Sequence, residues 1–181
     1  VRSFQPTGRV LITRDELAGR VAEIGRAIAN DYAAMDPVLV GVLKGAVVFL
    51  ADLMRSIDLP LTTDFMSVSS YGGSTQSSGI VKITSDLSVT IEDRHVLIVE
   101  DIIDSGRTVS YLKRNLMTRH PRSVKICALL DKVERREVDV DLDYVGFAIP
   151  DVFVVGYGLD HAGLYRNLPY LGALEPGPKS P

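Results

Sequence analysis

The seven residues 37–43, "PVLVGVL", constrain this chain more than any other stretch. They are apolar with no polar alternation. A strand made of them is buried on both faces, as in a sheet covered by helices on either side. The run passes through Lys44-Gly45 straight into "AVVFLADLMRSI", where Leu50, Leu53, Met54 and Ile57 repeat at helical spacing. The same alternation of strand and helix recurs. "TRDE" opens a helix: Thr13 and Glu16 have capping-box spacing, and Leu17, Val21, Ile24 and Ile28 mark one face. "TTDFMSVS" and "IVKITSDL" read as extended. "VLIVE" reads as a buried strand, followed by a helix carried on Val109, Leu112 and Leu116 that stops before Pro121. "SVKICALL", "DYVGFAI" and "FVVGY" read as further strands. Strands alternating with helices predict an α/β fold: a parallel sheet flanked by helices, with its ligand at the carboxyl ends of the strands.

Composition narrows the function classes. The chain has 181 residues, the size of one ordinary domain, and its 24% charged residues sum to −3. No global basic field points to nucleic acid or an anionic membrane. Cys127 is the only cysteine and cannot form an internal disulfide; within "VKICALL" it reads as a small core residue. No stretch approaches a membrane span and "VRSFQPTGRV" lacks a signal-peptide core, so a cytoplasmic protein is expected. The start at Val1 suggests that residues were trimmed, and the tail "EPGPKSP" reads as disordered over 176–181. The loop "SYGGSTQSSG" (70–79) is small and polar, of a length usually kept for function.

The chemistry is concentrated in "VLIVEDIIDSGRT", 96–108. A buried strand ends in Glu100 and Asp101, and two apolar residues later Asp104-Ser105-Gly106-Arg107-Thr108 opens a helix. Neither G-x-x-x-x-G-K-[ST] nor G-x-G-x-x-G occurs. Gly106 lets a ligand approach the backbone, the amides of the helix start point outward, and Ser105 and Thr108 add hydroxyls, so the turn suits a phosphate. Adjacent carboxylates accept hydrogen bonds from a vicinal diol or help hold a hydrated divalent metal. Phosphate beside diol describes a ribose 5-phosphate. The competing structural account is that Asp104 only caps the helix and Glu100-Asp101 are solvated.

The thirteen residues resemble the phosphoribosyl-pyrophosphate signature of the type I phosphoribosyltransferases. "VLKGA", "SSYG", "LLDK" and "IPDVFVVGYGLD" resemble, in order, segments of the hypoxanthine-guanine members, so the likeness spans nearly the whole chain. It implies one domain over 1–175, with a small hood built from about 1–15 and 150–175. It implies a purine salvage enzyme that transfers phosphoribose from phosphoribosyl pyrophosphate to hypoxanthine or guanine with Mg²⁺, giving IMP or GMP. By the same resemblance Glu100 and Asp101 bind the ribose hydroxyls, and Asp104, Ser105, Gly106, Arg107 and Thr108 hold the 5-phosphate. Asp104 also faces N7 of the purine as the catalytic acid–base group. Lys44 and Gly45 form a pyrophosphate loop with a cis bond after Leu43, joined by Ser70 and Tyr71 of a closing lid and by Arg166. Lys132 donates to the 6-oxo group, Phe153 stacks on the base and Val154 bonds its edge. Glu100, Asp101 and Asp160 are the metal side chains.

His95, His120 and His161 have no metal-ligand spacing, although His161, next to Asp160, could line the site. The family also implies a homodimer or homotetramer acting on small molecules, not on nucleic acid or membrane. Two other readings carry over: an RNA-binding regulator on the same fold, disfavoured by Asp104 and the purine-pocket segments, and a xanthine-preferring enzyme.

Overall fold

The computed structural model describes residues 8–70 and 81–174. Tyr71, the rest of the 70–79 loop beyond Ser70, the first seven residues and the tail lie outside the described residues. Strand β1 is Val10–Ile12, and helix α1 spans Arg14–Asp31. Thr13 caps α1 with the reciprocal bonds expected: its hydroxyl accepts from the Glu16 amide, while Glu16 accepts from the Thr13 amide. Leu17, Val21, Ile24 and Ile28 are buried as one stripe. Each contributes about 1.5–3 kcal/mol over an exposed position.

Next come β2 (Val38–Leu43), α2 (Val47–Arg55), β3 (Thr62–Ser70) and β4 (Val81–Ser85). They are followed by β5 (His95–Ile103), α3 (Arg107–Met117), β6 (Ser123–Asp131) and β7 (Tyr144–Ala148). These strands form one sheet in the order β4-β3-β2-β5-β6-β7, parallel throughout except for β4, which runs antiparallel at the edge. β2 and β5 are central, and residues 38–42 and 96–100 are buried, the condition inferred from their unbroken apolar runs. One cluster packs α1 and α2 on one face around Leu39, Leu97 and Leu129; another packs α3 on the other around Val40, Ile98 and Ile126. Cys127 is fully buried.

Two expectations need correction. α2 ends at Arg55, so Ile57 is buried beyond the helix, and Met54 is exposed while Phe49 fills the core instead. Strand–helix alternation breaks twice, since β3–β4–β5 carry no helix between them and β6–β7 only a single turn, Val133–Arg135. "FVVGY" does hold a strand, as read, and it lies outside the large sheet. β8 (Phe153–Val155) pairs antiparallel with β9 (Leu171–Leu174), and β9 with β1, as a separate three-stranded sheet. Both sheets line one cleft, at the carboxyl ends of β5 and β6.

Candidate active site

Three strand ends converge there. β2 hands over to a loop through a cis Leu43–Lys44 peptide. Gly45 then passes so close to β5 that a Cβ on it would stand 1.6 Å from Asp101 Oδ2. No residue with a side chain fits there without moving the carboxylate, which gives the glycine of "VLKGA" its physical reason. Lys44 beside it is exposed.

β5 carries Glu100, buried, and Asp101, partly covered, near its end; the strand does not stop at these acids, as the sequence suggested, but runs on to Ile103. Burial, and then the neighbouring Asp101 charge, pushes the Glu100 carboxyl well above its ordinary range. Burial lifts Asp101 from 3.8 to about 6, against the backbone bonds it accepts and the pull of Arg166, with Asp160 adding to the rise. A pair of carboxyls held above their ordinary range is costly in the free protein and relieved by a donor-rich or cationic ligand.

Beyond them the chain turns at Gly106, whose φ of 81° is left-handed and whose missing Cβ would press 2.7 Å from the Val138 carbonyl. Ser105 O accepts from the amides of Glu137 and Val138, clamping this turn against the segment after β6. The Arg107 guanidinium pairs with Glu137, and the Arg107 amide donates to the Ser105 hydroxyl at 3.4 Å, a long bond that a phosphate oxygen could replace. The first amides of α3 have no partner within the helix. A recess of 80 Å³ lined by Glu100, Asp104, Ser105, Gly106 and Thr108 sits over them, large enough for a phosphoryl group but not for a purine.

A cavity of 550 Å³ adjoins it, and its lining includes Asp101, Asp104, Lys132, Phe153, Val154 and Asp160. Phe153 is half exposed, unusual for an aromatic ring on a strand, with His161 edge-on to it at 5.2 Å. Val154 is buried, leaving its backbone as the group it can present. Lys132 is buried with its Nζ 3.4 Å from Asp151 Oδ1. Asp160 accepts from the Gly163 amide and pairs with Arg166 at 2.6 Å, and Arg166 also donates to the Gly158 carbonyl. Ser70 closes β3, and Tyr71 is outside the described residues.

Two charged lining residues are additions: Arg135, 2.7 Å from Asp104, and Asp151, which pairs with both Arg135 and Lys132. Asp151 lies inside the quoted "IPDVFVVGYGLD", where its acid beside Phe153 was a usable signal; Arg135 had none.

Among the described residues no three His, Cys, Asp or Glu side chains form a ready metal cage, and no helix is long and apolar enough to cross a membrane. The donor set nevertheless fits Mg²⁺, which is held by one or two carboxylates plus substrate phosphates and retains several waters.

A family model described as "Phosphoribosyl transferase domain" matches residues 13–162. Bifunctional protein TilS/HprT of Listeria monocytogenes serotype 4b (strain F2365) is 54% identical over 168 residues, covering 93% of this chain. The chain spans 26% of that relative's length. Hypoxanthine-guanine phosphoribosyltransferase of Bacillus subtilis (strain 168) is 53% identical over 168 residues, covering 93% of each chain. Among solved structures, a hypoxanthine phosphoribosyltransferase from Staphylococcus aureus superposes with a TM-score of 0.89 at 47% identity, covering 93% of this chain and 91% of that one.

Proposed function

Because this chain belongs to the phosphoribosyltransferase family, we propose that it transfers the 5-phosphoribosyl group of phosphoribosyl pyrophosphate to hypoxanthine or guanine, releasing pyrophosphate and forming IMP or GMP. The observation that carries the reading is one continuous wall. Buried Glu100, partly covered Asp101, the Gly106 turn and the half-exposed Phe153 border two adjoining spaces, one phosphoryl-sized and one purine-sized.

In this reading the ribose hydroxyls donate to Glu100 and Asp101, and the 5-phosphate sits on the amides from Ser105 to Thr108 with the Ser105 and Thr108 hydroxyls. Departure of pyrophosphate leaves a cation-like ribose, so the incoming base must gain electron density as the bond breaks. Asp104 supplies it by taking or sharing the proton at N7. Lys132 donates to the 6-oxo group and has no acceptor to offer the amino group of adenine, which is therefore rejected by roughly 10⁴-fold or more. Phe153 lies against the ring, and the Val154 backbone meets its edge.

Lys44, the Gly45 amide and Arg166 receive the leaving group. Glu100, Asp101 and Asp160 would hold Mg²⁺ arriving with it, which when bound offsets phosphate charge. The family supports a cytoplasmic homodimer or homotetramer, with the three-stranded sheet as its hood. Product analysis with hypoxanthine, guanine, xanthine and adenine, each with and without Mg²⁺, is the test. The reading requires IMP and GMP, none of either without the metal, and no AMP; comparable adenine turnover removes the base assignment.

A further inference from the structure

Arg135 has no part in the proposed chemistry, yet it sits in the purine-sized cavity. It ends the single turn Val133–Arg135 between β6 and β7. Its Nε lies 2.7 Å from Asp104 Oδ1 and its Nη1 3.4 Å from Asp151 Oδ2, while Asp151 Oδ1 lies 3.4 Å from Lys132 Nζ. Asp104 and Lys132, the two groups assigned to the base, are thus the two ends of one chain of four alternating charges. At the end that must meet N7, one of the two carboxylate oxygens is already taken.

The geometry points to Arg135 as a positioning residue that gates the base pocket: in the free protein its guanidinium occupies Asp104, and a 6-oxopurine seats by taking that carboxylate from it. The inference rests on the purine reading of the cavity. An acceptor turned toward a guanidinium at 2.7 Å cannot also receive an N7 proton along the same direction. Asp151 offers Arg135 a second anchor, so release of Asp104 does not strand the cation. The Arg135 and Asp104 side chains are 51% and 47% exposed, and an exposed pair is held weakly enough for a ligand to exchange. Asp104, and then Asp151, reinforce the charge on Arg135, so the gate is cationic whenever it is closed.

The test is initial-rate kinetics of the wild type, Arg135→Gln and Arg135→Lys in hypoxanthine at saturating phosphoribosyl pyrophosphate, with thermal melts alongside. Removing the charge is expected to lower the KM for hypoxanthine by about two- to fivefold, the range an exposed ion pair supports. The KM for phosphoribosyl pyrophosphate should move much less, and Arg135→Lys should stay near the wild-type KM because an ammonium can still pair with Asp104. A residue of purely structural importance would instead lower the melting temperature and the rate without tightening the base. An unmoved or raised KM for hypoxanthine in Arg135→Gln overturns the gate while leaving the function intact. A wild type that forms no nucleotide overturns both.

Discussion

Gly45→Ala asks whether the backbone after β2 and the carboxylate near the end of β5 are built as one site. The added methyl would stand 1.6 Å from Asp101 Oδ2 and 2.5 Å from its Cγ, inside the 3.0 Å that real Cβ atoms keep. Relief requires the carboxylate or the loop to move by more than an ångström. A misplacement of about 1 Å at reacting groups costs on the order of 10²-fold in rate, whereas overpacking at one site costs about 1–3 kcal/mol of stability. For a domain of this length that is about 2–4 °C of melting temperature per kcal/mol. Gly19 is the internal control. It lies within α1 with nothing within 4 Å of a built Cβ, so Gly19→Ala should gain about 0.5–1 kcal/mol and leave turnover alone. Initial rates with phosphoribosyl pyrophosphate and thermal melts read both. Gly45→Ala should lose about 10²-fold in kcat/KM while remaining largely folded at assay temperature. A wild-type rate in Gly45→Ala would refute the coupling of the two strand ends; so would a rate loss no larger than the loss of folded protein.

Other substitutions separate the roles. Asp104→Asn removes the proton acceptor but keeps the shape, and should lower kcat by about 10²–10⁴-fold with much less effect on binding of phosphoribosyl pyrophosphate; calorimetry showing equal damage to both would make Asp104 a positioning group. Asp101→Asn should stabilise the protein free of substrate and metal. Its folded carboxyl is lifted from 3.8 to about 6, so the folded state holds the extra proton and stability falls as pH rises through that window. The variant's advantage should be absent near pH 3.5 and reach at most about 3 kcal/mol by pH 8; melts showing a pH-independent gap would contradict the cause given for the shift. Lys132→Ala should raise the KM for hypoxanthine and guanine by about tenfold or more, as for a lost hydrogen bond to a charged donor; unchanged values would place the 6-oxo group elsewhere.

Much of the fold was legible because its elements are long and strongly periodic. The α1 stripe and the unbroken apolar runs of β2 and β5 each specify one way to be buried. The small sheet was harder to read. β1, β8 and β9 span three or four residues, too few for a period, and the β1–β9 pairing joins the two ends of the chain. Met54 satisfied helical spacing but faces outward, because the spacing gives a face and not its width. At the site, Glu100, Asp101 and the Gly106 turn could be argued from residue chemistry alone. Phe153 and Val154 needed the family resemblance, since as isolated letters they read as core. Arg135 was invisible: its meaning is the ion pair with Asp104, and that pairing across the β5 and β6 ends exists only in three dimensions.

The most direct measurement is a crystal structure of the protein with GMP bound. The account predicts the 5-phosphate on the amides of residues 105–108, the ribose hydroxyls on Glu100 and Asp101, and the guanine against Phe153 with its 6-oxo group at Lys132. A phosphate lodged in another large cavity, between α1, α2 and Tyr157, with the Gly106 turn untouched, would contradict it.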